Sequence, residues 1–158
     1  MKSWGKRNVF GAAVLAAAIA GSAAAAVDVD AVLKDRQATM KQQAKDAKAV
    51  KDYIDGKADQ AAGLAAAKDL VQTMNKIPDL FPPGTAKPSP DGDYAPKAAI
   101  WSDWNKFLSV RKAAAAKTDV LVAAIQGGDK NVVRTAFADL GKNGCGACHT
   151  GFREKLKP

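Results

Sequence analysis

Between positions 29 and 54, apolar residues recur at helical intervals. Leu33, Met40, Ala47 and Ile54 lie seven apart, with Val29, Val32, Ala44 and Val50 near the same face. Lys34, Lys41, Lys45, Lys48 and Lys51 occupy mostly other faces, so the segment predicts an amphipathic helix ended at Gly56. A second helix is expected from Asp59, a suitable N-cap, to Lys76, with Leu64, Ala67, Val71 and Met74 as its buried stripe. Pro78 should stop it. From there to Pro96 the chain holds Pro78, Pro82, Pro83, Pro88, Pro90 and Pro96 together with Gly84 and Gly92, which excludes helix and central strand. An irregular connection of this length usually wraps around a domain or carries function.

The third helix should start near Pro96, with Ile100, Trp104, Phe107, Arg111, Ala114, Thr118, Leu121 and Ile125 on its inner side; Trp101 and Leu108 widen that face. Gly127-Gly128 ends it. Asp129 can cap a fourth helix that carries Val133, Phe137, Leu140, Gly144, Cys148, Phe152 and Leu156. No stretch after the first 26 residues alternates as a strand would. The expected fold is all-α: an antiparallel four-helix bundle with one long crossover.

The N-terminus follows a different rule. Lys2, Lys6 and Arg7 precede an alanine-rich apolar run, Val9 to Ala20, and small residues follow from Gly21 to Ala26. That is the pattern of a cleaved signal peptide over residues 1–26, leaving a domain over 27–158 exported to the periplasm. An uncleaved anchor would want about 20 strongly apolar residues, more than this run supplies. Cleavage would take the formal charge of the 158-residue chain from +8 to +5, because the leader holds three cations and no acid. A basic surplus favours acidic partners and equally serves solubility. No cationic block is dense enough for a nucleic-acid arm, and no stable membrane insertion is expected once the leader is removed.

The chemistry gathers in one place. The chain has two cysteines and one histidine, and all three fall in Cys145-Gly146-Ala147-Cys148-His149, the spacing of c-type haem attachment. Each thiol would add to one haem vinyl group, residues three apart on a helix reach neighbouring pyrrole edges, and the adjacent histidine can ligate iron. Glycine and alanine between the cysteines permit a close approach. A disulfide across three residues would close almost no loop. A thioredoxin-like pair would want a βαβ context, and a zinc site would lack a fourth ligand. One covalent haem c on the fourth helix, held by Cys145 and Cys148 with His149 on the iron, is therefore expected.

With the motif near the C-terminal end of a four-helix pattern, the chain from Ala31 to Lys155 resembles the class II c-type cytochromes, cytochrome c′ and its low-spin relatives. Arg36-Gln37-Ala38-Thr39-Met40 is similar to that family's first-helix signature. Phe81-Pro82-Pro83-Gly84-Thr85 and Ile100-Trp101 resemble its loop and third-helix start, and Phe152-Arg153 its aromatic-basic pair after the haem motif. The resemblance implies that Arg36 and Gln37 contact haem propionates, where a guanidinium would pair well with a carboxylate. It implies a haem-proximal place for Asp93, and for Arg153 a position one turn beyond His149.

It also puts Met40 on the distal side. As a sixth ligand, Met40 would make a low-spin His/Met centre suited to electron transfer, and this is the preferred expectation. As mere packing, it would leave a five-coordinate iron open to gases such as nitric oxide. Met74 reads as core. Catalysis is not expected, because no acid-base pair accompanies the haem. Redox proteins are the expected partners. Relatives commonly pair through the first two helices, and Ala58, Ala61, Ala62, Ala65 and Ala66 would allow close contact there; alanine is equally a plain helix former.

Overall fold

The computed structural model describes residues 27–90 and 92–156. The expected leader, residues 1–26, lies outside the described residues. Helix α1 spans Val29–Ile54, opened by Asp28, whose carboxylate accepts from Ala31 N at 3.0 Å. Gly56 (φ 78°) makes the left-handed turn that redirects the chain. Helix α2 spans Gln60–Lys76 and is capped by Asp59 as expected. The two helices meet closely: a Cβ on Gly63 would stand 2.8 Å from Tyr53 Cβ. Only glycine fits there.

Pro78 does not stop the helical path outright. The chain tightens into a 3₁₀ turn, Ile77–Leu80, whose first positions tolerate a residue without an N–H. After the crossover comes α3, Ala99–Ser102, a single turn that breaks at Asp103. The third helix was expected to run unbroken from near Pro96. Instead Asp103 leaves helical geometry and caps α4, Trp104–Gly127, accepting from Lys106 N at 3.1 Å. Gly128 (φ 81°) closes α4.

The fourth helix of the bundle is composite. Asp129 caps α5, Lys130–Asp139; a π-helical segment, Leu140–Gly146, follows; and α6, Ala147–Phe152, completes it. Gly144 allows the wide turn to press on α4: a Cβ there would lie 2.9 Å from Leu140 Cδ1 and 3.6 Å from Ala114 Cα. π segments within helices concentrate at functional sites, and this one contains Cys145. A short antiparallel pair, which no alternating pattern announced, joins β1 (Tyr94–Pro96) to β2 (Arg153–Lys155), with Ala95 opposite Glu154. Three residues are too few to show a period of two. The protein is a four-helix bundle.

Its core forms two clusters. One packs Val50, Tyr53, Ala67, Leu70, Leu121, Ile125, Val133 and Leu140; the other packs Met74, Ile77, Leu80, Phe81, Ile100, Phe107 and Phe152. A cavity has walls drawn from both. Trp104 and Arg111, placed on the inner stripe by periodicity, are only half-buried, and Leu156 is exposed.

One polar group sits uneasily between α1 and α2. Asp46 is 6% exposed, and its Oδ2 has no hydrogen-bond partner among the described residues. Gln42 Nε2 donates to Asp46 Oδ1 (2.9 Å) and to Asp69 Oδ2 (3.1 Å). Burial, and then Asp69 alongside, hold the Asp46 carboxyl above the usual range, against the pull of Gln42 and Lys45. Between the ordinary and the raised value the folded state therefore keeps a proton that the unfolded chain releases. Stability from this group is full below the ordinary carboxylate pKa and is lost as pH rises through the raised value. Asp46→Asn should raise stability at pH 7 by roughly 1 kcal/mol. Urea melts of the holoprotein should show that gain vanish at acid pH.

Candidate functional site

The cavity has a volume of about 660 Å³, within the range of about 300–1,000 Å³ that encloses cofactor-sized molecules. One wall is the end of the composite fourth helix. There Cys145, Cys148 and His149 are half-buried, line the cavity together, and both thiols are free. Burial pushes both thiols above their ordinary range, unlike the depressed values of redox-active cysteine pairs. Burial first, and the charge of Arg153 second, push the His149 imidazole down, which favours the neutral form that ligates metals. No cluster of three or more His, Cys, Asp or Glu among the described residues could hold a bare metal ion.

Helix α1 forms another wall through Arg36, Gln37, Met40, Gln43, Ala44 and Ala47. Met40 is half-buried and packs on the cluster that contains Phe81 and Phe107. Met74 is core, 4% exposed, as its stripe position implied. Asp93 lines the mouth while its side chain stays exposed, and its backbone oxygen accepts from Leu156 N at 2.8 Å. Gln37 donates to Pro90 O at 2.7 Å. Arg36, Gln37, Met40, Asp93, Cys145, Cys148 and His149 thus line one cavity.

Arg36 does something that the sequence did not announce. It is 5% exposed, and its guanidinium donates to Leu80 O (2.9 Å), Thr85 O (3.1 Å), Thr85 Oγ1 (2.8 Å) and Lys87 O (3.4 Å). It also lies 4.2 Å from the Phe81 ring centroid. Carbonyls and a π face hold it, and it ties α1 to the crossover. Desolvation lowers its pKa to about 10, so it stays charged at neutral pH.

At the mouth, Arg153 stacks on Tyr94 with its guanidinium 4.1 Å from the ring centroid. Lys97 Nζ donates to Thr150 O at 2.9 Å, and Lys97 N to Phe152 O at 2.9 Å, so the crossover and the chain beyond the motif are laced together. Sequence reasoning missed Tyr94 and Gln43. Tyr94 sits in a proline-rich stretch without periodicity. Gln43 follows Lys41 and Gln42 and reads as a solvated face.

These features fit a haem. A flat apolar macrocycle suits walls of Leu70, Met74, Phe81, Phe107 and Phe152, two thiols and an imidazole share one side, and a buried cation stands at the rim. Residues 31–153 match the family described as Cytochrome C′. Over 96 residues the chain is 35% identical to cytochrome c′ of Alcaligenes xylosoxydans xylosoxydans, covering 60% of this chain and 70% of that one. Over 98 residues it is 34% identical to cytochrome c-556 of Rhodopseudomonas palustris, covering 61% and 64%. The cytochrome c′ structure from Thermochromatium tepidum superposes with a TM-score of 0.72 at 25% identity, covering 82% of this chain and 98% of that one. A nitric oxide complex of a cytochrome c prime mutant from Alcaligenes xylosoxidans gives 0.69 at 29% identity, covering 81% and 97%. From the cavity, the motif and these likenesses together, the chain belongs to the cytochrome c′ family of class II c-type cytochromes, which bind a covalently attached haem c.

Proposed function

We propose that this protein is a periplasmic haem c protein whose iron, held by His149, keeps its distal position open to a diatomic gas such as nitric oxide. The haem, when bound, supplies an iron that takes up small ligands and exchanges single electrons. The chain does the rest. Cys145 and Cys148 tether the group, and His149 stays neutral and available. Arg36, its donors held by the crossover, sets a positive charge in the cavity wall; Gln37 lines the same wall, and Asp93 stands at the mouth. The carrying observation is Met40: half-buried, it packs against the apolar cluster of Phe81 and Phe107, as a gap-filling methionine does. The likeness to a nitric oxide complex of a family member agrees.

A second reading, a low-spin His149/Met40 electron carrier, is favoured by one observation: Met40 and His149 line the same cavity from different helices. A titration of the ferrous protein with carbon monoxide separates the two. The open-site reading predicts ready binding in the wild type, with Met40→Leu leaving the spectrum and potential of the unliganded protein unchanged. A Met40→Leu protein that turns from low-spin to high-spin would instead establish Met40 as ligand. Removal of residues 1–26 on export, acidic redox partners, and pairing of two copies through α1 and α2 belong to the same proposal; of the five alanines expected there, Ala61, Ala62 and Ala65 are exposed, while Ala58 is half-buried and Ala66 belongs to the core. Among the described residues no helix is long and apolar enough to cross a membrane.

A further inference from the structure

The cavity holds two buried nitrogen donors without an acceptor among the described residues, Gln43 Nε2 and Arg111 Nε. Arg111 is otherwise engaged, donating from Nη1 to Asn75 Oδ1 at 3.2 Å. The Gln43 amide nitrogen has no such bond. Gln43 lies three residues after Met40 on α1, so both face the same side of the helix, and both line the cavity. An amide N–H buried beside apolar neighbours is costly to leave unmade, and an acceptor arriving in the cavity relieves that cost.

We infer that Gln43 is a specificity-determining donor on the distal wall, favouring iron ligands that accept a strong hydrogen bond, such as fluoride, over carbon monoxide, whose terminal oxygen accepts weakly. This rests on the open distal site proposed above. Anionic ligands gain most, because hydrogen bonds to charged acceptors are the strong ones. The exposed neighbours Lys41 and Lys45 cannot substitute, since water competes for their ammonium groups.

The test uses the holoprotein, with fluoride titrated into the ferric form and carbon monoxide into the ferrous form. Gln43→Leu removes the donor and adds no group that could ligate iron. Fluoride affinity should fall about tenfold, the weight of one charge-assisted hydrogen bond, while carbon monoxide affinity holds. Gln43→Asn, a shorter amide, should restore part of the fluoride affinity. The infrared C–O stretch should move to higher frequency in Gln43→Leu, a readout that does not depend on affinity. Equal losses for both ligands, or no change in either fluoride affinity or C–O frequency, would overturn the inference. A wild-type protein that binds carbon monoxide but no fluoride would also overturn the inference, whereas one that binds neither probe would sink the open-site reading on which it rests.

Discussion

Exchanging both Cys145 and Cys148 for serine should yield a chain without covalent haem and without native tertiary packing. Serine fits the same space but forms no thioether, so His149 alone would hold the group. The structural consequence follows from the cavity. Opening a void in a core costs about 24 cal/mol per Å³. If only a third of the 660 Å³ were left unfilled, the penalty would be about 5 kcal/mol, the lower end of a whole domain's stability. The helices should survive in part, since α1 and α4 are long and capped, while side-chain order is lost. Haem staining after denaturing electrophoresis should be negative. Far-ultraviolet circular dichroism should be partly kept and the near-ultraviolet signal lost. A double mutant with a native near-ultraviolet spectrum and an unchanged melting temperature would show that the fold does not depend on the group in the cavity.

Arg36→Ala should cost about 3–5 kcal/mol of stability. The variant strands the buried carbonyls of Leu80 and Thr85, removes the donor to Thr85 Oγ1, and uncovers the Phe81 face. Hydrogen bonds to a charged group contribute about 1.5–3 kcal/mol each and do not add independently. Arg36→Lys should recover little, because an ammonium cannot supply the planar fork that reaches both Leu80 and Thr85. The loss should appear first in the crossover, so hydrogen exchange should rise at residues 80–87 before the helices open. Equal protection of that segment in wild type and Arg36→Ala would refute the anchoring role.

The parts legible in the sequence share one property: they repeat or they cap. Leu33, Val50 and Ile54 on α1, and Phe107, Leu121 and Ile125 on α4, are buried where the period puts them. Asp59 and Asp129 cap the helices that follow them. The haem motif was legible because five consecutive residues carry it. What stayed hidden depends on contacts between distant segments. The break at Asp103 looks in sequence like an ordinary polar position within a helix. The π segment brings Gly144 against Ala114, thirty residues earlier in the chain, a contact with no local signal. Pairing of Tyr94–Pro96 with Arg153–Lys155 has no local signal, and the partners of Arg36 lie 44 to 51 residues away.

On the open-site reading the protein carries one haem c, whose iron has one protein ligand, His149, and a distal position left open beside Met40. The most direct measurement is the optical and resonance Raman spectrum of the reduced, purified holoprotein at neutral pH. The expected spectrum is that of a high-spin, five-coordinate ferrous haem with a single axial histidine, His149, and it shifts on adding carbon monoxide. A low-spin, six-coordinate ferrous spectrum that carbon monoxide leaves unchanged would contradict it and assign the sixth position to Met40.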